Sequence, residues 1–153
     1  MTEGTVEYVH VAPEEGAPPQ EVDRAEAVAR RGLRGDRYFA DAGTFADRSG
    51  SDLSLIEAEA LDGVERDYGI TLEPGLHRRN VTTRGVALNH LVGREFLVGD
   101  VLCEGTELCE PCSYLERHLA KEGIREALVH RGGLRATIVE GGTIEPGDAV
   151  RLA

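Results

Sequence analysis

The chain contains few cysteines, almost no lysine and no long hydrophobic run. Its 153 residues include three cysteines and, at Lys121, a single lysine. Three thiols cannot all pair within one chain, which argues against a disulfide framework and favours a reducing compartment. No apolar run approaches the roughly 18 residues of a membrane-spanning helix, and the first residues lack the pattern of a signal peptide. We therefore expect a cytoplasmic protein with no membrane partner.

The scarcity of lysine and the excess of acid limit the cofactors and partners that fit the chain. A pyridoxal phosphate (PLP) enzyme holds its cofactor on a lysine. Lys121 lies in a charged segment that is expected to be solvated, so no PLP is expected within this chain. Acidic residues outnumber basic ones by 28 to 17, which gives a formal net charge of -11. Because this charge repels polyanions, we expect no nucleic-acid partner.

Short strand-like segments separated by turns dominate the chain. Strands are predicted at residues 6–11, 53–56, 80–83, 95–98, 101–104, 134–140 and 149–152. The segment 22–31 is ambiguous, because its alternation suits a strand and its alanines suit a helix, whereas 32–38 and 141–142 are predicted turns. Helices are predicted over 57–68, ended by Gly69, and over 113–121 and 124–130. The pattern predicts a mainly β (α+β) fold, a barrel-like domain with several short helices.

Two of the three cysteines form a C-x-x-C motif, Cys109 and Cys112. The thiolate is the reactive form of cysteine, and nearby cations or a helix N-terminus lower the pKa of a thiol. Cys112 precedes a predicted helix and is the candidate nucleophile or metal ligand. Cys109 either resolves a disulfide with Cys112 or packs in the core, and the sequence leaves both open. Cys103 lies among apolar residues and is expected to be buried.

A zinc site is an alternative use of the same thiols. Cys103, Cys109, Cys112 and His118 would supply four ligands. Their spacing, C-x5-C-x2-C-x5-H, lacks the two short-spaced pairs that structural zinc sites usually have. His130 is a further titratable candidate, either a proton shuttle or a capping or core residue at the end of a helix.

Several arginines lie in predicted turns or at strand edges, namely Arg37, Arg78, Arg79, Arg131 and Arg135. Guanidinium groups bind phosphate and other oxyanions through paired hydrogen bonds and stay charged at all ordinary pH values. They also pair with acidic side chains at protein surfaces, where such pairs contribute little. Residue type alone leaves both interpretations open.

Seven short motifs follow one another along the chain. They are GLRGDRY at 32–38, LSLIE at 53–57, RRNVTTRG at 78–85, LVGREF at 91–96, ELCEPC at 107–112, HRGGL at 130–134 and GTIEPGD at 142–148. In this order and spacing they resemble the MOSC domain. That domain is the C-terminal domain of eukaryotic molybdenum cofactor sulfurases and also occurs as a standalone prokaryotic protein. The resemblance implies a single MOSC domain over residues 1–153 with a β-barrel-like fold.

The resemblance also implies site residues. In relatives such as the mitochondrial amidoxime-reducing component, a cysteine after the barrel strands ligates molybdenum, and the matching position is Cys112. Cys112 is thus the implied catalytic and metal-ligating residue, and the C-x-x-C motif adds Cys109 as a second candidate catalytic residue. Arg78 and Asn80 match an R-x-N-[IV] segment that holds the cofactor. Arg37 matches the arginine of an early glycine-aspartate-arginine turn.

Two further expectations complete the candidate site. Arg131, one of the arginines in predicted turns, joins Arg37, Arg78 and Asn80 as a candidate cofactor-binding residue. The relatives that retain cofactor carry an extra domain or extension for which this length leaves no room. We therefore expect a molybdenum-cofactor-linked sulfur carrier or sulfurtransferase that forms a persulfide, binds molybdopterin only transiently, and receives sulfur from a cysteine desulfurase-like protein. The alternatives are a molybdenum-dependent reductase of N-hydroxylated compounds and a non-catalytic binding module.

Overall fold

A computed structural model describes residues 3–13, 17–36, 39, 52–72, 77–109 and 123–153 of the chain. The strands β1 to β11 of this part are Gly4–Val11, Gln20–Glu21, Ala25–Val28, Gly32–Leu33, Leu53–Glu57, Val81–Arg84, Glu95–Val98, Val101–Leu108, Leu134–Glu140, Gly142–Ile144 and Ala149–Leu152. The helices are α1 (Ala58–Tyr68), a 3-10 helix (Leu88–Leu91) and α2 (Ile124–Ala127). Among these residues, none of the helices has the length and hydropathy of a membrane-spanning segment.

Seven of the strands close into a barrel. Their order around the ring is β11-β7-β8-β9-β5-β6-β1, and β1 pairs with β11 to complete it. Neighbouring strands are antiparallel except β5 and β6, which are parallel. Parallel strands need a crossover connection, and α1 lies in the chain between these two. The expected mainly β, barrel-like fold is confirmed.

Apolar side chains fill the barrel. The cluster includes Val9 of β1, Leu55 of β5, Phe96 of β7 and Leu134 of β9, each fully buried. Burying one side chain of this size stabilises the fold by roughly 1.5–3 kcal/mol. Cys103 of β8 belongs to the same cluster, so the expectation that it is buried is confirmed.

A second, smaller apolar cluster lies where α1 meets α2. It consists of Ile56, Val64, Ile124, Ala127 and Leu128. The helix α1 ends as predicted at Gly69, which has the left-handed φ of 67° and donates its N–H to the carbonyl of Glu65 at 2.9 Å. This cluster holds α1 against the outside of the barrel.

Some short elements differ from the sequence predictions. β4 lies in a segment predicted as a turn, β10 begins at the last residue of the predicted turn 141–142, and both pair with β3 in a separate three-stranded sheet. They are two and three residues long and contain glycine, so alternation and strand propensity give almost no signal. The helix predicted over 124–130 ends at Ala127, because Leu128 to Arg131 form turn hydrogen bonds and His130 has a φ of 62°. The helix predicted over 113–121 falls outside the described residues.

Candidate functional site

One end of the barrel carries a run of polar residues, His77-Arg78-Arg79-Asn80, called the HRRN segment below. It leads directly into β6. Arg78 has a φ of 64°, in the left-handed region that few non-glycine residues adopt. The neighbouring contacts must therefore hold this backbone in place, and they come from five separate parts of the chain.

Asn80 ties the HRRN segment to two strands. Its side-chain Oδ1 accepts hydrogen bonds from the backbone N–H and the hydroxyl of Ser54, each at 3.1 Å, and its Nδ2 donates to the carbonyl of His10 at 3.2 Å. The backbone carbonyl of Asn80 accepts the N–H of His10 at 2.7 Å. Because both ends of this buried amide are used in joining β1 to β5, Asn80 fixes the backbone beside Arg78. Its direct contact with a cofactor stays a prediction.

Arg78 is a buried cation, only 6% exposed. Its Nη1 donates to the carbonyl of Ala17 at 2.8 Å, ahead of β2. A guanidinium keeps its charge even when it is buried. The side chain therefore brings a fixed positive charge to this end of the barrel.

Arg79 donates hydrogen bonds to three backbone carbonyls, each in a different part of the chain. Nε donates to Gly132 at 2.9 Å, Nη1 to His77 at 3.0 Å and Nη2 to Cys109 at 3.3 Å. Within the described ranges, no carboxylate lies at ion-pair distance from this guanidinium. Its charge is thus balanced there by carbonyl dipoles alone.

Cys109 follows the last residue of β8 and is buried, 2% exposed. Its N–H donates to the carbonyl of Gly133 at 2.7 Å, and its own carbonyl receives the bond from Arg79. Gly133 has a φ of 114°, and a Cβ there would collide with the carbonyl of Leu55. Only glycine fits at position 133, where the backbone passes close to the carbonyl of Leu55. The structure therefore brings Cys109, the HRRN segment and the turn before β9 together.

His77 is a neutral hydrogen-bond relay beneath the arginines. Burial and the nearby charge of Arg79 lower the pKa of His77 to about 3. Its Nδ1 accepts the backbone N–H of Arg79 at 2.9 Å, so the proton of the neutral ring is on Nε2. Nε2 therefore donates to the hydroxyl oxygen of Thr82 at 3.2 Å. The positive charge of this region comes from the arginines and not from His77.

His10 packs edge-on against His77, with ring centroids 6.2 Å apart. The ring is 3% exposed, and its Nδ1 has no hydrogen-bond partner in the part of the chain that the structure describes. Burial lowers the pKa of His10, and the charge of Glu21 opposes this effect. Two neutral imidazoles thus lie beside two guanidinium groups.

The other predicted site residues on the described chain lie elsewhere. Arg131 donates through Nε to the carbonyl of Ala127 at 2.6 Å, and its Nη1 lies 3.3 Å from the carboxylate of Asp67. These partners belong to α2 and α1, which places the guanidinium at the helix–helix contact. A role of Arg131 in cofactor binding stays a prediction. Arg135 is buried on β9 with its Nε 3.6 Å from the carboxylate of Glu107.

The remaining candidates divide between described and undescribed parts of the chain. Cys112, Arg37 and His118 fall outside the described residues. His130 is exposed, which excludes its interpretation as a core residue. Cys103 and Cys109 are six residues apart along β8 and its continuation, a span of about 20 Å in an extended strand. Two ligands of one zinc ion lie far closer together, so the four-ligand zinc set is wrong.

Sequence reasoning missed His77, Ser54 and His10, and it considered Arg79 only as one arginine among several. Ser54 and His10 meet Asn80 across 26 and 70 residues of sequence. Local sequence patterns do not predict contacts between residues that are so far apart in sequence. For His77 and Arg79 a signal existed, because both lie in an uninterrupted polar run directly before a predicted strand.

Comparisons with known proteins agree with this architecture. The family described as MOSC domain matches residues 36–151. The chain is similar in structure to YuaD from Bacillus subtilis, with a TM-score of 0.79, 17% identity, and coverage of 97% of this chain and 94% of that one. It is also similar to YiiM from Geobacillus stearothermophilus (TM-score 0.75, 16% identity, coverage 98% and 75%) and YiiM from Escherichia coli (0.69, 16%, 97% and 69%). No curated protein matches the chain. At these identities, the structural likeness concerns the fold alone.

Proposed function

The chain belongs to the MOSC domain family, and from this premise we propose that it carries sulfur for the molybdenum cofactor, with which the family is associated. The reactive group is the thiol of Cys112. Its thiolate attacks the terminal sulfur of a donor persulfide, the donor thiolate leaves, and Cys112 holds the transferred sulfur as a new persulfide. An acceptor then takes that sulfur and releases the thiolate. Cys109 assists this exchange.

One observation carries the proposal: Arg79 of the HRRN segment donates to the carbonyl of Cys109. The cysteine motif and the arginine motif are far apart in sequence, and this bond joins them. Cys112 follows Cys109 by three residues in the sequence, and we propose that its thiol reacts at this end of the barrel. A thiol in this neighbourhood experiences the charges of Arg78 and Arg79, which favour its ionised form.

The residues at this end of the barrel fit a molybdopterin. Its phosphate is an anion, and the guanidinium groups of Arg78 and Arg79 supply positive charge at this end of the barrel. Arg37 and Arg78 would hold the anionic group, Asn80 would keep Arg78 in position, and Arg131 is the further candidate. The thiolate of Cys112 is a soft ligand of the kind that sulfur-rich metal sites use. When bound, the molybdenum would supply the centre that exchanges sulfur.

The state of His77 supports the same assignment. A neutral imidazole leaves the two arginines as the fixed charges of the described site, and neither loses its proton at neutral pH. An anionic persulfide or phosphate therefore meets a positive region although the whole chain carries a charge of -11. Local charge of this kind favours an anionic ligand over the general repulsion.

Sulfur loading of single-cysteine variants tests the proposal. We would incubate the wild type, Cys112→Ser, Cys109→Ser and Cys103→Ser with a cysteine desulfurase and free cysteine, then measure the mass of each protein. Loss of the sulfur adduct is expected in Cys112→Ser alone, because this variant removes the accepting thiol. Cys103→Ser is the matched control, since its thiol lies inside the barrel. Unchanged loading of Cys112→Ser would refute the assignment.

Metal content separates the carrier from the reductase. We expect freshly purified protein to contain much less than one molybdenum per chain, because a sulfur carrier binds the cofactor only transiently. Stoichiometric molybdenum together with the fluorescence of a pterin would instead favour the molybdenum-dependent reductase.

A further inference from the structure

A cavity of about 150 Å³ lies between α1 and the outer face of the barrel, and no described cysteine lines it. Val9 and Val81 point into the barrel core. Residues alternate across a strand, so the adjacent Tyr8 and Thr82 point outwards and line the cavity. Ala58 and Leu61 of α1, with Leu72, form its apolar walls.

The floor of this cavity offers a hydrogen-bond donor. His77 donates its Nε2–H to the oxygen of Thr82, so that oxygen is the acceptor in their bond. The hydroxyl hydrogen of Thr82 then has no acceptor among the described residues, although the side chain is only 2% exposed. Buried donors are nearly always paired in folded proteins. The hydroxyl of Thr82 can therefore donate a hydrogen bond to a guest in the cavity.

The rim of the cavity is acidic. Glu7, Asp62 and Glu65 line it together with one cation, Arg84. Arg84 bonds to Glu7 and Asp62 and so bridges β6 to β1 and α1. Three carboxylates against one guanidinium leave an excess of negative charge at the mouth, which favours a cationic guest over an anionic one.

We propose that this cavity binds a small organic ammonium ion that carries an acceptor oxygen. The oxygen accepts the hydrogen bond from Thr82, the short carbon chain packs against Ala58, Leu61 and Leu72, and the ammonium group lies among the rim carboxylates. The volume equals that of about five liquid waters, which suits a guest of five or six heavy atoms. This site does not depend on the sulfur-carrier function.

Two probes of equal size test the proposal on the wild-type protein. The first is 2-methoxyethylammonium, which has an ether oxygen, and the second is n-butylammonium, which has a methylene group in its place. We expect NMR titration to show saturable shifts at Thr82, Leu61 and Leu72 for the first probe. The second probe should bind about threefold to tenfold more weakly, because it cannot accept a hydrogen bond. Equal affinities, or the absence of saturable shifts, would overturn the proposal.

Variants at Thr82 assign the difference to its hydroxyl. Thr82→Val keeps the shape of the side chain and should bind the two probes equally, whereas Thr82→Ser keeps the hydroxyl and should retain the preference. Thr106→Val is the matched control, because the hydroxyl of Thr106 donates to the carbonyl of Arg135 and does not line the cavity. A preference for the ether probe that survives in Thr82→Val, or disappears in Thr82→Ser, would contradict the assignment.

Discussion

The inside of the barrel and its HRRN end are held together by different forces. Inside, Leu55, Phe96 and Leu134 bury their whole side chains among other apolar groups. At the end, Asn80 and Arg79 hold the chain through hydrogen bonds to Ser54, His10 and the carbonyl of Cys109. The barrel therefore supplies most of the free energy of folding, whereas the polar end supplies a fixed arrangement of charges.

Two cysteines show what this difference means for chemistry. Burial, with a smaller contribution from Asp52, raises the pKa of Cys103 to about 12, so its thiol stays protonated inside the barrel. Cys109 is also buried, but its backbone is held by Arg79 and Gly133 at the barrel end. The same residue type is inert packing in one region and part of a charged neighbourhood in the other.

The largest expected effect comes from emptying the barrel. Phe96→Ala removes a fully buried ring and leaves a cavity, which should lower the free energy of unfolding by about 3–5 kcal/mol. Urea unfolding measures this change. Tyr68→Ala is the control, because Tyr68 is 49% exposed and should cost no more than about 0.5 kcal/mol. Similar losses in the two variants would show that the barrel core does not dominate stability.

Acid should act on the HRRN end through His77. Its pKa is lowered from 6.5 to about 3 by burial and by Arg79. Between these two pH values, His77 binds a proton in the unfolded chain but not in the folded chain. The stability that His77 contributes is present above pH 6.5 and is lost as the pH falls towards 3, by up to about 1.4 kcal/mol per pH unit.

Unfolding at a series of pH values in wild type and His77→Gln measures this slope. The variant should lose that part of the pH dependence, whereas His90→Gln, which changes an exposed histidine, should keep it. An unchanged slope in His77→Gln would mean that His77 is protonated in the folded state.

Removing the side-chain amide of Asn80 should have a smaller effect. Asn80→Ala leaves the N–H of Ser54 and the carbonyl of His10 without their partner, at a cost of about 1–3 kcal/mol. Asn89→Ala is the matched control, because Asn89 makes one bond, to the carbonyl of the exposed His130. Chemical denaturation compares the two. An equal cost at both positions would contradict the bracing role of Asn80.

The smallest effect is expected at the surface. Arg84→Gln removes two ion pairs, with Glu7 and Asp62, but its side chain is 47% exposed. Such pairs contribute less than about 1 kcal/mol, and salt screens them. Thermal unfolding at low and high salt should show a difference from wild type that is small and shrinks with salt. A large, salt-independent loss would indicate that Arg84 has a further packing role.

Local sequence patterns accounted for the long elements and not for the short ones. Alternation and turn residues predicted β1, β5, β7 and β9, and helical spacing with Gly69 predicted α1. The strands β2, β4 and β10 have two or three residues, too few for any periodicity to appear. Closure of the barrel depends on pairing of β1 with β11, from opposite ends of the chain, and no local signal specifies that pairing.

The candidate site divides in the same way. The C-x-x-C motif selected Cys109 and family resemblance selected Arg78 and Asn80, and the structure brings these three to one end of the barrel. The sequence could not show that Arg131 turns to Asp67 and Ala127, because helix–helix packing decides the direction of that side chain. It also could not show that Arg79 links the two motifs, since that contact spans 30 residues.

The central proposal is that sulfur chemistry belongs to Cys112 and not to the thiol of Cys103 inside the barrel. The most direct test loads the native protein from a persulfide donor at pH 8 and quantifies added sulfur on each cysteine peptide by mass spectrometry. We predict an adduct on Cys112 and none on Cys103, of which a pKa of about 12 leaves only about one thiol in ten thousand ionised. Loading of Cys103 as readily as Cys112, or no adduct on Cys112, would contradict the proposal.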